Sequence, residues 1–347
     1  MSSVKTVQNL QEVASFKVSP GDRLFSADQE EIKYGWTTDI YFIKTREILR
    51  ALGLDKTPVV AEVFAGKPGV LAGVPEVKNL LAGTGAQVWS LPEGERFGEK
   101  EVIMRIAGPY DDFGIHETAL LGILASSSGW ATAARICKEA AGDRRVICFG
   151  ARHVHPAVAP VMERAAVIGG ADGNSCILGA RLAGIEPSGT VPHSVFLIVG
   201  DTVRVAKTYH RVMPEGTPVV VLVDTFKDEA EETLRVAEAL GSALDAVRLD
   251  TPGERGGVTP GLVREVRARL DQAGYSHVKI LVSGGVIPER IIQLSAAGAE
   301  AFGVGSYISG APAIDMTMDI KEIDGKPIAK RGRIPGISDN GRLVKLL

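Results

Sequence analysis

Glycine, arginine, aspartate and histidine recur in this chain at the ends of apolar runs, where chemistry needs them. The segments are Phe149-Gly150-Ala151-Arg152-His153, Gly189-Thr190-Val191-Pro192-His193, Asp224-Thr225, Arg248-Leu249-Asp250, Ser283-Gly284-Gly285 and Gly303-Val304-Gly305-Ser306. The two late glycine clusters can present backbone N–H groups to a phosphate, helped by a following helix N-terminus. Asp224 and Asp250 are hard oxygen donors that suit Mg²⁺ or ribose hydroxyls. Arg152 and Arg248 carry permanent positive charge for a carboxylate or pyrophosphate. Together the set fits a substrate with several phosphates, a ribose and an acidic partner. Taken singly, each residue also has a plain structural reading. The aspartates could cap helices, the glycines could turn the chain, and Tyr41 and Phe149 could pack in a core. His153 and His155 read as loop side chains, and His116 as a helix-start residue beside Glu117.

The elements that must hold these residues alternate. From about residue 116, short β-branched runs such as 146–149, 219–223, 246–249, 278–282 and 301–304 are separated by amphipathic helices. That pattern predicts parallel βα units buried on both faces. Six or seven units in about 190 residues favour a closed or nearly closed α/β barrel over an open doubly wound sheet. In such a barrel the strand C-termini share one face, which would bring the polar clusters together. Residues 1–115 read differently. Alternation in 59–64 and 102–106 predicts antiparallel strands, and 40–52 a helix. The last segment, about 311–347, reads as strands again with an Asp324-Gly325 hairpin turn, returning to this first domain. The fold class is therefore α/β: an irregular barrel of parallel strands over 116–310, plus an N-terminal α+β domain completed by the C-terminal segment.

Composition narrows the classes. The 347-residue chain is 45% hydrophobic with net charge −3, which gives no nucleic-acid footprint. The short basic cluster Lys326, Lys330, Arg331 and Arg333 reads as a solvated tail or an anion contact. The three cysteines, Cys137, Cys148 and Cys176, form no metal-finger spacing and favour a reducing compartment, so a cytoplasmic location is expected. The first residues lack a signal-peptide core, and no apolar run reaches membrane-span length.

In their order along the chain these segments resemble the nicotinate phosphoribosyltransferases. Thr38-Asp39-Ile40-Tyr41 is similar to that family's T-D-x-Y segment, Phe149 to Arg152 to F-G-x-R, and Gly173-Asn174-Ser175 to a G-T-S turn. Ser188-Gly189-Thr190 with His193 resembles S-G-T-x-x-H. Asp224-Thr225 and Arg248-Leu249-Asp250 resemble D-T and R-x-D, and the two glycine clusters resemble phosphate loops. The resemblance implies that nicotinate and phosphoribosyl pyrophosphate give nicotinate mononucleotide and pyrophosphate. By it, Phe149 stacks on the pyridine ring and Tyr41 reaches it from a neighbouring subunit of a homodimer or higher oligomer. Arg152 lies near the nicotinate and phosphate, Asn174 and Ser175 near the base, and Thr190 binds substrate; Asp224 and Asp250, near ribose, act in catalysis and hold Mg²⁺. Ser283, Gly284, Gly285, Gly303 and Gly305 grip phosphate. Arg248 and His193 act in catalysis, with His193 phosphorylated by ATP. Asn174 for Thr, and Thr251-Pro252-Gly253 after Asp250, depart from the pattern, and some relatives' zinc cysteines are absent. The rival readings are quinolinate phosphoribosyltransferase, nicotinamide phosphoribosyltransferase and a non-catalytic phosphometabolite-binding barrel. The first would need more Lys and Arg on the barrel face than Arg152, Arg248 and their neighbours supply. The second would favour a carboxylate at the turn that Ser175 occupies.

Overall fold

The computed structural model describes residues 5–16 and 25–347. The chain folds as two compact units. One runs through Ala131 and is joined by Pro312–Leu347; the other is Thr132–Ala311.

The first unit is built on an antiparallel sheet. Its strand order is Lys326–Pro327, Met316–Ile323, Pro58–Ala65, Val102–Pro109, Gln87–Ser90 and Val344–Lys345. Alternation does what the sequence pattern predicts for Val59, Ala61 and Val63, which share a core with their register neighbours Met104 and Ile106; Ile103, at a register shift, is buried as well. On the strand Pro58–Ala65, Glu62 is buried and faces Arg105 across the register, with a 2.8 Å ion pair. The C-terminal segment returns to this sheet. Ile323 pairs with Lys326 across Asp324 and Gly325, which both have positive φ, the geometry of a primed hairpin turn. The unit extends to Ala131 rather than 115 because Leu120 and Leu124, early in the helix Glu117–Ala141, belong to the same apolar core.

The second unit is a curled sheet of six strands in the order Gly173–Asn174, Arg145–Cys148, Ala301–Val304, Lys279–Val282, Ala246–Leu249 and Val220–Leu222. All neighbours are parallel. The two end strands do not pair with each other, so the barrel is open. The runs are apolar on both faces: Val146, Val247, Ile280, Val282, Phe302 and Val304 are fully enclosed. Helices Glu229–Leu240, Pro260–Gln272 and Pro288–Ala297 cover the sheet through Val236, Val263, Leu270 and Ile291. Among the described residues, no helix is long and apolar enough to cross a membrane.

Candidate active site

Register places the strand ends together. Val304 pairs with Cys148, and Val282 with both Phe302 and Leu249. The residues that follow these strands line one cleft of about 440 Å³, wholly within the second unit. Phe149, Arg152, Ser175, Thr190, His193, Arg248, Asp250, Ser283, Gly284, Gly285, Gly303 and Gly305 all face it. Twelve of the fifteen expected site residues are thus in one place. The other three lie elsewhere. Asn174 is buried beneath its neighbour Ser175, its Nδ2 donating to the Glu163 carbonyl. Asp224 has a side chain only 1% exposed, and it meets the site through His193 rather than at the surface of the cleft. Tyr41 belongs to the first unit, on the helix Ile40–Ala51, and is 55% exposed.

Arg248 is the hub. It stands on the strand Ala246–Leu249 between buried Val247 and Leu249, so alternation turns it away from their side of the sheet. Its Nε donates to Ser283 Oγ at 2.8 Å and one terminal nitrogen to Thr190 Oγ1 at 2.7 Å. The other reaches Asp250 Oδ2 at 3.2 Å, and Ser283 Oγ donates to Asp250 Oδ1 at 2.8 Å. The guanidinium also sits 5.1 Å from the Phe149 ring centroid, a cation–π distance. Burial holds the Arg248 pKa below the usual arginine value, against the pull of Asp250 and Asp224. A fork with three fixed partners is a rigid positive surface rather than a mobile tether. Arg152, in the turn Ala151–His153, has no ion pair or hydrogen bond among the described residues. Its charge is free for a ligand.

The glycines are required by space. A Cβ on Gly303 would lie 2.4 Å from Phe149 Cε2, and one on Gly284 would lie 2.9 Å from Asp250 Oδ1 at φ +82°. Aromatic wall and glycine loop therefore pack directly on each other. The N–H groups of Gly284 and Gly285 donate to no protein acceptor among the described residues, which leaves them for an anion.

His193 opens the helix His193–Val199. Its Nδ1 is 3.1 Å from Thr225 Oγ1, and its Nε2 is 3.5 Å from Asp250 Oδ2 and 3.8 Å from Asp224 Oδ2. Neither Asp224 oxygen has a hydrogen-bond partner. Burial raises its pKa, although His193 and its own backbone N–H pull the other way. No group of three or more His, Cys, Asp or Glu is arranged to hold a metal among the described residues.

His153, read from sequence as a loop side chain, lines the cleft, with Nδ1 3.2 Å from Ser309 Oγ. Its place beside Arg152 in one turn was the available signal. Ser306 and Gly189 also line the cleft.

The family profile of the quinolinate phosphoribosyl transferase N-terminal domain matches residues 39–128, and that of the C-terminal domain matches 130–319. The chain belongs to the quinolinate phosphoribosyl transferase family. A crystal structure of nicotinate-nucleotide pyrophosphorylase from Pyrococcus furiosus shares 46% identity at a TM-score of 0.87, over 91% of this chain and 82% of that one. The human nicotinate-nucleotide pyrophosphorylase [carboxylating] is 26% identical over 79% of this chain and 86% of its own. A nicotinate phosphoribosyltransferase of Mycobacterium tuberculosis is 31% identical over 69% of this chain but 54% of its own length. The chain thus spans about half the length of the first curated relatives it matches.

These matches correct the assignment to the nicotinate phosphoribosyltransferase family. Proteins of both names align with this chain, so likeness to one of them did not by itself fix the family. The expected ATP coupling and the phosphohistidine role of His193 rested on that assignment and fall with it. In the structure His193 is instead held against two carboxylates and a threonine hydroxyl.

Proposed function

We propose that this protein is a quinolinate phosphoribosyltransferase in NAD synthesis, joining quinolinate to phosphoribosyl pyrophosphate to form nicotinate mononucleotide, pyrophosphate and CO₂. The observation that carries the reading is the pairing of two arginines in one cleft with two glycine loops, in a chain whose two halves match that family. Counting cations in the sequence undervalued this pair, because it could not show that Arg152 is unpaired.

The pyridine nitrogen attacks the ribose C1, and the bond from C1 to the pyrophosphate oxygen breaks. The nitrogen is already nucleophilic, so positioning and charge stabilisation dominate the barrier. Phe149 is the flat wall for the ring, Arg152 the cation for a ring carboxylate, and Ser283 to Gly285 with Gly303 to Ser306 the phosphate grip. Asp250, fixed by Arg248 and Ser283, stands ready beside a ribose that gains positive charge. Once the nitrogen carries a positive charge, the C2–carboxylate bond can break. CO₂ leaves, its bonding pair stays at C2 next to the cationic nitrogen, and a proton then adds there.

The orphaned, buried oxygens of Asp224 together with Asp250 fit a hard cation such as Mg²⁺. Asp224 and Asp250 would hold such an ion, which would supply positive charge for the departing pyrophosphate. A homo-oligomer in which Tyr41 completes a neighbour's site is part of the same proposal.

Purified protein incubated with phosphoribosyl pyrophosphate, Mg²⁺ and carboxyl-labelled quinolinate should release pyrophosphate and labelled CO₂ in equal amounts. Nicotinate and nicotinamide, with and without ATP, should react far more slowly. Faster pyrophosphate release with nicotinate would overturn the substrate. No release with any base would leave a binding module.

A further inference from the structure

Glu163 lies on the helix Ala159–Gly169 with no exposed surface. Its Oε1 accepts from the Ala151 N–H at 3.1 Å and from the Ser175 hydroxyl at 3.0 Å, and its Oε2 accepts from the Cys176 N–H. Its backbone carbonyl takes Asn174 Nδ2 at 3.2 Å. No cation pairs with the carboxylate among the described residues. A buried, unpaired charge is costly unless its hydrogen bonds are made, and here three donors from two separate loops make them. One loop follows the strand Arg145–Cys148 and carries Arg152; the other follows Gly173–Asn174 and carries Ser175. A glutamine could not do the same, since in either orientation its NH₂ would face a backbone N–H, of Ala151 or of Cys176, donor to donor.

We propose that Glu163 is a positioning residue: one enclosed carboxylate sets the spacing of Arg152 and Ser175, and with it the subsite for the pyridine carboxylate. The proposal rests on the reaction proposed above. None of the Glu163 bonds reaches Ser283 to Gly285 or Gly303 to Ser306. The carboxylate meets the phosphate grip only indirectly, where Phe149 and His153 abut Gly303 and Gly305, so its loss should fall mainly on the pyridine side.

Glu163→Gln should raise the KM for quinolinate about ten- to a hundredfold, the scale of losing a charge-assisted bond, with the KM for phosphoribosyl pyrophosphate within about twofold. Glu163→Asp keeps the charge one methylene shorter and should show a smaller rise with the same split. If Glu163→Gln does not fold, Glu163→Asp carries the test. An unchanged quinolinate KM, or both KM values rising together, would overturn the positioning role. Should wild-type protein fail to turn over quinolinate, the proposed reaction fails by itself. Amide exchange then decides the anchor: in the variant it must quicken about tenfold or more at Ala151 and Cys176 but not at Ser283, whose N–H donates to the Leu249 carbonyl at 2.9 Å. Equal rates would refute it.

Discussion

Gly303→Ala adds one methyl group against the aromatic wall of the cleft. The new carbon would lie 2.4 Å from Phe149 Cε2, 2.5 Å from Cδ2 and 3.1 Å from Ser283 Cβ. Carbon atoms rest at about 3.5–4.0 Å, so the ring must retreat by about 1 Å. It cannot do so freely, because the Arg248 guanidinium sits 5.1 Å from its centroid and is itself tied to Ser283, Thr190 and Asp250. Overpacking of this kind costs about 1–3 kcal/mol, which is roughly 2–10 °C of Tm for a unit of this size. A wall displaced by that distance should lower kcat/KM with quinolinate about ten- to a hundredfold. Calorimetry and initial-rate measurements read the two effects separately. Phe149→Leu in the Gly303→Ala background should recover Tm without restoring turnover, a coupling of about 1 kcal/mol or more in a double-mutant cycle. If Gly303→Ala keeps both Tm and kcat/KM near the wild-type values, Phe149 does not wall the substrate and the argument from packing is wrong.

Three further outcomes are expected. Asp224→Asn should raise Tm above pH 7 while lowering turnover, because burial makes the native carboxylate unfavourable; a lower Tm there would show that the charge is compensated. Burial, with Asp319 and Asp39 nearby, raises the Glu117 pKa from 4.5 to about 7, so the native state holds the extra proton and its stabilising contribution is lost as pH rises from about 4.5 to 7. Burial and Arg46 lower His116 from 6.5 to about 4, so its contribution is lost as pH falls through that window, and the two slopes oppose each other. Glu117→Gln should therefore leave a Tm that climbs more steeply with pH between about 4.5 and 6.5; an unchanged profile would refute the assignment. Finally, inactive Tyr41→Ala and Arg248→Met chains, mixed after mild dissociation, should regain part of the activity if a site is shared between copies, as read by pyrophosphate release; no recovery counts against sharing.

Much was legible in the chain before it folded. Apolar β-branched runs between amphipathic helices fixed the parallel strands, and alternation in 59–64 and 102–106 fixed the antiparallel ones, because local side-chain period reports burial. The strand ends then named most of the cleft, since parallel strands bring their C-termini to one side. What sequence could not supply were distances between residues far apart in the chain. That Phe149 leans on Gly303, that Arg248 gathers Thr190, Ser283 and Asp250, that Asp224 sits enclosed behind His193, and that Glu163 ties two loops are all outcomes of register and packing. The family followed the same division. Motif types pointed to a barrel mouth suited to phosphate and carboxylate, a description that fits more than one kind of pyridine phosphoribosyltransferase. On the proposed function, substrate choice depends on which cations remain unpaired in the folded cleft, and ion pairing between distant residues is settled only when tertiary contacts form.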